Sequence, residues 1–171
     1  PLVLAADGAA RLARGQATAR LALDRLNGFG TLRLEAALNP AEDRLSATLT
    51  LREAGDGLIP ALVGRRGDPF ALDLTLDGPA GDAALRLEAR LGERISASVQ
   101  GRVAATPAGA YAAQLTGEAR PGPLVPLGLE DAASPLRLTL DAAVDPEGRL
   151  SLPELRLAAP LGVVAATGSL D

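Results

Sequence analysis

Four carboxylates in this sequence invite a catalytic reading: Asp73 with Asp77 on one segment, and Glu35 with Glu88 on two others. Paired acids of this kind hydrolyse glycosides, one protonating the leaving oxygen while the other attacks or activates water. Each of the four, however, sits on the charged side of an alternating segment, where a side chain is a solvated surface group. Other chemistries lack their residues altogether. There is no histidine, so the commonest general base and metal ligand is missing. There is no cysteine for a thiolate nucleophile, disulfide or zinc site, and every one of the 17 basic residues is arginine, which removes lysine-based mechanisms. The run from Asp141 to Gly148 carries charges without the alternating ligand positions of a calcium loop. Gly28-Phe29-Gly30 precedes an alternating segment and opens no helix, so it does not meet the dinucleotide-binding context, and no phosphate loop is present. The expectation is a protein without catalytic residues, cofactor or metal.

What positions these groups is strict period-two alternation, the signature of a strand with one buried face. Thr31 to Leu38 places Leu32, Leu34, Ala36 and Leu38 on one side; Arg44 to Arg52 does the same with Leu45, Ala47, Leu49 and Leu51. Phe70, Leu72, Leu74 and Leu76 follow, then Leu85, Leu87, Ala89 and Leu91. The pattern also runs through Gln16 to Arg25, Arg94 to Val103 with Ile95 and Val99, Ala110 to Gly117, Leu136 to Val144 with Leu138 and Leu140, Leu155 to Ala159 with Leu157, and Val163 to Leu170. Compact turn signals separate them: Asn39 to Asp43, Gly78 to Asp82, Thr106 to Gly109 and Asp145 to Gly148. Short loops between alternating segments predict an all-β antiparallel meander of about 9–11 strands, apolar on one face and charged on the other.

Two segments, Asp56 to Gly64 and Gly122 to Ala133, lose the alternation and read as short helices. Sliding the chain by 66 positions lays Pro60 on Pro126, Pro69 on Pro135, Phe70 on Leu136 and Leu74 on Leu140. This predicts repeat units over 56–121 and 122–171, the second incomplete, preceded by strands over 10–55. The chain starts at Pro1, contains no Met, and shows neither a signal peptide nor a membrane span, so an interior segment of a longer chain is expected.

Composition narrows the partners. Mixed charges with a net of −4 provide no basic stripe for nucleic acid. Nearly half of the residues (47%) are hydrophobic, yet only 2% are aromatic, so the apolar face is built of methyl groups from Leu, Ala and Val. GC-rich codon usage is one source of that bias; a slot for flexible hydrocarbon is another. From pattern alone, the face either packs into a sandwich or barrel filled by its own side chains, or curls into an open groove.

The run Gly57-Leu-Ile-Pro-Ala-Leu-Val-Gly64 followed by Pro69-Phe-Ala-Leu-Asp-Leu-Thr-Leu-Asp-Gly-Pro79 resembles the repeating units of the TamB family, translocation and assembly module proteins related to AsmA-like lipid transporters. Leu136 to Leu152 and Ala166 to Asp171 read similarly, and the likeness extends from about Gly28 onward. It implies a curled sheet, the β-taco, crossing the periplasm from an inner-membrane anchor to a TamA-like outer-membrane barrel protein. It further implies phospholipid transport and support for outer-membrane protein assembly. The lining so implied comprises Leu32, Leu34, Leu45, Leu49, Leu51, Phe70, Leu72, Leu74, Leu76, Leu85, Leu87, Leu91, Ile95, Val99, Leu136, Leu138, Leu140, Leu155 and Leu157, in contact with phospholipid acyl chains. The alternatives are a surface that accepts β-strands during assembly and a purely structural spacer with a filled core.

Overall fold

A computed structural model describes residues 3–105, 110–122 and 135–170. Eleven strands form one antiparallel sheet in chain order: β1 (Leu4–Ala13), β2 (Gln16–Arg25), β3 (Gly30–Asn39), β4 (Arg44–Glu53), β5 (Phe70–Gly78), β6 (Ala83–Leu91), β7 (Ile95–Ala105), β8 (Tyr111–Arg120), β9 (Leu136–Val144), β10 (Leu150–Ala159) and β11 (Gly162–Leu170). The sheet is unclosed, with β1 and β11 as free edges, and is consistent with a curled meander. Among the described residues, neither a sandwich nor a closed barrel forms.

Leu and Ala are unexceptional or poor strand formers, so pattern rather than propensity makes these strands. The turns lock the register. Between β1 and β2, Arg14 (φ 51°) and Gly15 (φ 80°) both take the left-handed region, the geometry of a two-residue hairpin whose twist matches the flanking strands. Between β3 and β4, a 3-10 turn over Pro40–Glu42 ends at Asp43 (φ 47°). The Asp43 carboxylate accepts the Ala80 N–H at 3.1 Å, tying that turn to the β5–β6 turn.

The predicted helix over 56–64 is present as α1 (Leu58–Leu62) in the β4–β5 loop. Pro60 falls in its first turn, where a missing N–H costs nothing. The Glu53 carboxylate accepts the Ile59 N–H at 2.8 Å and serves as the cap that Gly57 cannot supply. The second expected helix, over 122–133, lies outside the described residues but for Gly122. Phe70 and Leu136 begin β5 and β9 at an offset of 66 residues, and Gly78 and Val144 end them at the same offset.

Strand β1 did not stand out in the sequence, because Ala5, Ala6, Ala9 and Ala10 populate both of its faces and blunt the alternation. Strand β10 begins at Leu150, upstream of the expected Leu155. There the alternation slips by one residue: Leu150 and Leu152 are out of phase with Leu155 and Leu157. A β-bulge around Pro153 absorbs the extra residue against both β9 and β11, so all four leucines share a face.

Candidate lipid-binding face

Register fixes which side chains are neighbours. Leu21, Leu34, Leu49, Leu74, Leu87, Val99, Gly117, Leu138, Leu157 and Val164 form one continuous row across ten strands. The flanking row on one side runs through Leu23, Leu32, Leu51, Leu72, Ala89, Ala97, Ala119 and Leu136, and on the other through Ala36, Ala47, Leu76, Leu85, Gly101, Leu115, Leu140 and Leu155. Phe70, Leu91 and Ile95 close one end, and Leu38 and Leu45 lie near the other. All 19 residues named from the sequence therefore share one face. Leu21, Leu23, Leu38, Val103, Leu115 and Leu152 join them; the same alternation marks these, and only Leu152 is disguised by the bulge.

Among the described residues no second layer covers this face. The buried apolar side chains there are Ala83, Leu91 and Pro60, while the other leucines of the rows are half-buried, Leu21 being the most exposed at 36%. The accessible surface is 11060 Å², about 1.4 times the roughly 7,800 Å² that a monomer of 17.3 kDa exposes when its apolar faces are packed away. At about 4.8 Å between strands and about 3.3 Å per residue, the slab measures roughly 48 by 30 Å.

Two glycines on this face mark a close approach of β7 and β8. A Cβ on Gly101 would lie 1.9 Å from the Gln114 carbonyl oxygen, and one on Gly117 would lie 2.5 Å from that of Ser98. Crowding of this kind on one side of a sheet accompanies bending toward that side, and glycine is the residue that permits it.

The opposite face is a lattice of exposed ion pairs: Arg33 with Asp24, Arg44 with Asp77 and Arg52 with Asp73, each at 2.7 Å, Arg137 with Glu118 at 3.4 Å, Arg20 with Glu35 at 3.7 Å, and Arg102 with Asp82. The four carboxylates singled out for catalysis belong to it. Asp73 and Asp77 are four residues apart on one strand, about 13 Å, and Glu35 and Glu88 are three strands apart, at least about 14 Å. Both separations exceed the roughly 9.5 Å within which glycosidase acids cooperate. Register does bring Asp73 opposite Glu88, a pairing that local spacing did not disclose, but Asp73 is bound by Arg52 and Glu88 lies 3.9 Å from Arg90. Hollows on this face are shallow; one of about 620 Å³ lies among Arg86, Glu88, Ser98, Gln100, Thr116 and Glu118. An apolar hollow of about 460 Å³ lies at the β1 end of the other face, among Leu12, Ala17, Ala19, Leu38 and Leu45.

No cluster of three or more acidic side chains is placed to hold a metal among the described residues. Among the same residues, no helix is long and apolar enough to cross a membrane. Comparison with protein-family models, with curated proteins and with solved structures found no match to this chain.

Proposed function

We propose that this chain is a TamB-like segment of a periplasmic lipid conduit, whose uncovered apolar face carries phospholipid acyl chains between membranes. The observation that carries the reading is the continuous, only partly buried leucine face of a single unclosed sheet. A soluble chain rarely leaves so large an apolar surface in water unless something occupies it. Acyl chains suit it, because burial against methyl groups is non-directional and supplies about 25 cal/mol per Å² irrespective of chain position. A lining without hydrogen-bonding demands lets chains of different length slide. The resemblance to TamB repeats supplies the setting: an inner-membrane anchor, a TamA-like outer-membrane partner and a role in outer-membrane biogenesis, with no cofactor and no catalysis.

The chain contains no Trp, which makes a single reporter clean. In Leu87→Trp, brominated phospholipid is expected to quench the indole, whereas Thr116→Trp on the charged face stays bright. Equal quenching at both positions, or none at either, rejects the reading.

A further inference from the structure

Two charged residues interrupt the apolar face. Arg25 follows Leu21 and Leu23 in phase at the end of β2, and Glu53 follows Leu49 and Leu51 at the end of β4; within the described strands no other charged side chain falls on that side. Glu53 lies opposite Gly30 on one flank and Phe70 on the other. Charge on a methyl-lined face needs a partner, and both residues find theirs in the α1 loop, residues 54–69. Arg25, its side chain only 15% exposed, reaches the Asp56 carboxylate at 3.0 Å and donates to the Asp56 carbonyl at 3.1 Å. The Glu53 carboxylate holds the Ile59 N–H. Glycines clear the path of Arg25: a Cβ on Gly28 would lie 2.7 Å from its Cζ, and one on Gly30 would lie 3.2 Å from its Cβ. Gly28-Phe29-Gly30, which offers nothing to a nucleotide, is the gap through which this side chain crosses from β2 to the α1 loop.

These two contacts draw the loop over one end of the apolar face. Pro60 of α1 is fully buried, and Leu91, opposite Phe70, is at 5% exposure the one buried leucine among the described residues. Beside it a hollow of about 450 Å³ is walled by Arg65, Asp68 and Pro69 of the loop and floored by Leu91 and Ile95. The loop joins the sheet through a narrow neck. The Gly67 N–H donates to the Gly55 carbonyl at 2.8 Å, and a Cβ on Gly55 would strike the Gly67 backbone. Glycine on both legs of the neck lets the backbone turn there at little steric cost. Helix α1 spans only Leu58–Leu62, well short of the roughly 12–15 residues at which a helix holds itself, so its place depends on what fastens it.

We infer that residues 56–66 form a lid, hinged at Gly55 and Gly67 and latched by Arg25 and Glu53, that shuts this end of the leucine face until an acyl chain displaces it. The inference rests on the lipid-carrying reading above and adds a gate to it: chains enter or leave at the α1 rim when the latch opens. The Asp56 carboxylate is 63% exposed, so water can replace Arg25 there and the pair holds the lid only modestly. Leu58 and Leu62 on the lid, 50% and 72% exposed, give an arriving chain an apolar foothold.

The test compares the wild-type chain with Arg25→Met, which keeps an apolar stem and removes the charge, and with Asp56→Asn, which alters the exposed partner and guards against a folding defect in the first. Hydrogen exchange without lipid is expected to quicken about tenfold over residues 57–64 in Arg25→Met, and less in Asp56→Asn, with β8 unchanged. Phe70→Trp beside the lid and Leu87→Trp at mid-face are then placed separately in each background and mixed with vesicles of dibrominated phosphatidylcholine. Quenching at position 70 is expected to be weak with the latch intact and to rise to the level of position 87 once Arg25 is replaced, while quenching at 87 stays the same. Unchanged exchange in Arg25→Met overturns the latch, and equal quenching at the two positions with the latch intact overturns the lid; either result leaves the lipid reading standing. Quenching at neither position in any background rejects the lipid reading, and the gate falls with it.

Discussion

Substituting Leu74 by Thr tests whether the apolar face is open, with no ligand involved. Leu74 lies mid-row, between Leu49 and Leu87, and is half-buried. Threonine is chosen because it is a good strand former, so backbone preference does not contribute to the loss. In a filled core, truncating a leucine costs about 2–5 kcal/mol through lost transfer energy and a residual cavity, and a buried, unpaired hydroxyl adds about 1–3 kcal/mol more. On this face neither extra penalty applies, because solvent fills the gap and hydrates the hydroxyl. What remains is part of the roughly 1.5–3 kcal/mol that full leucine burial provides. The expected loss is about 1 kcal/mol, equivalent to a fall in melting temperature of about 2–4 °C for a chain of this size. Urea denaturation followed by far-UV circular dichroism reads it directly. A loss above about 4 kcal/mol, or failure to fold, refutes the reasoning, because it would mean that Leu74 packs against protein.

Further expectations follow from particular contacts. Gly101→Val forces a side chain into the Gln114 carbonyl and should destabilise by about 3 kcal/mol or more, the upper end for overpacking; a midpoint within about 1 kcal/mol of wild type contradicts the close approach of β7 and β8. Deleting Pro153 removes the residue that the bulge accommodates and should leave the fold intact, with stability at or above wild type by thermal melting; loss of folding would show that the bulge is needed. Glu53→Ala removes the acceptor of the Ile59 N–H and should cost about 1 kcal/mol, with faster hydrogen exchange over 57–64 and unchanged exchange in β8. The ion pairs of the charged face are exposed, so raising sodium chloride to about 1 M should shift stability by only a few tenths of a kcal/mol per pair; a collapse of the melting temperature would assign that lattice a larger role.

Much of this architecture is legible in the sequence because alternation is a local signal and leucine–arginine contrast is sharp. Leu72-Asp73-Leu74-Thr75-Leu76 declares its two faces without any tertiary information. Where contrast fails, so does the reading: the alanines of β1 say nothing about facing, and the phase slip at Pro153 hides the first half of β10. The candidate face was legible for the same reason as the strands, since residues in phase on successive short-looped strands must share a side. The hollow of about 450 Å³ beside the α1 loop was not, because Arg65, Asp68 and Arg94 line it together only once that loop lies against the β6–β7 turn. Likewise, whether the leucine face is covered is a property of the strand order as a whole. It took the free edges of β1 and β11 to establish that the sheet does not close on itself.

The central claim is that acyl chains occupy the leucine face, and adjacent residues on opposite sides of β6 test it most directly. A photo-crosslinking amino acid placed at Leu87 and, separately, at Glu88 is irradiated in the purified chain after incubation with phospholipid vesicles, and adducts are read by mass spectrometry. Lipid adducts at position 87 with few or none at 88 are the predicted result. Equal labelling at the two positions, or adducts at 87 to protein alone, would contradict it.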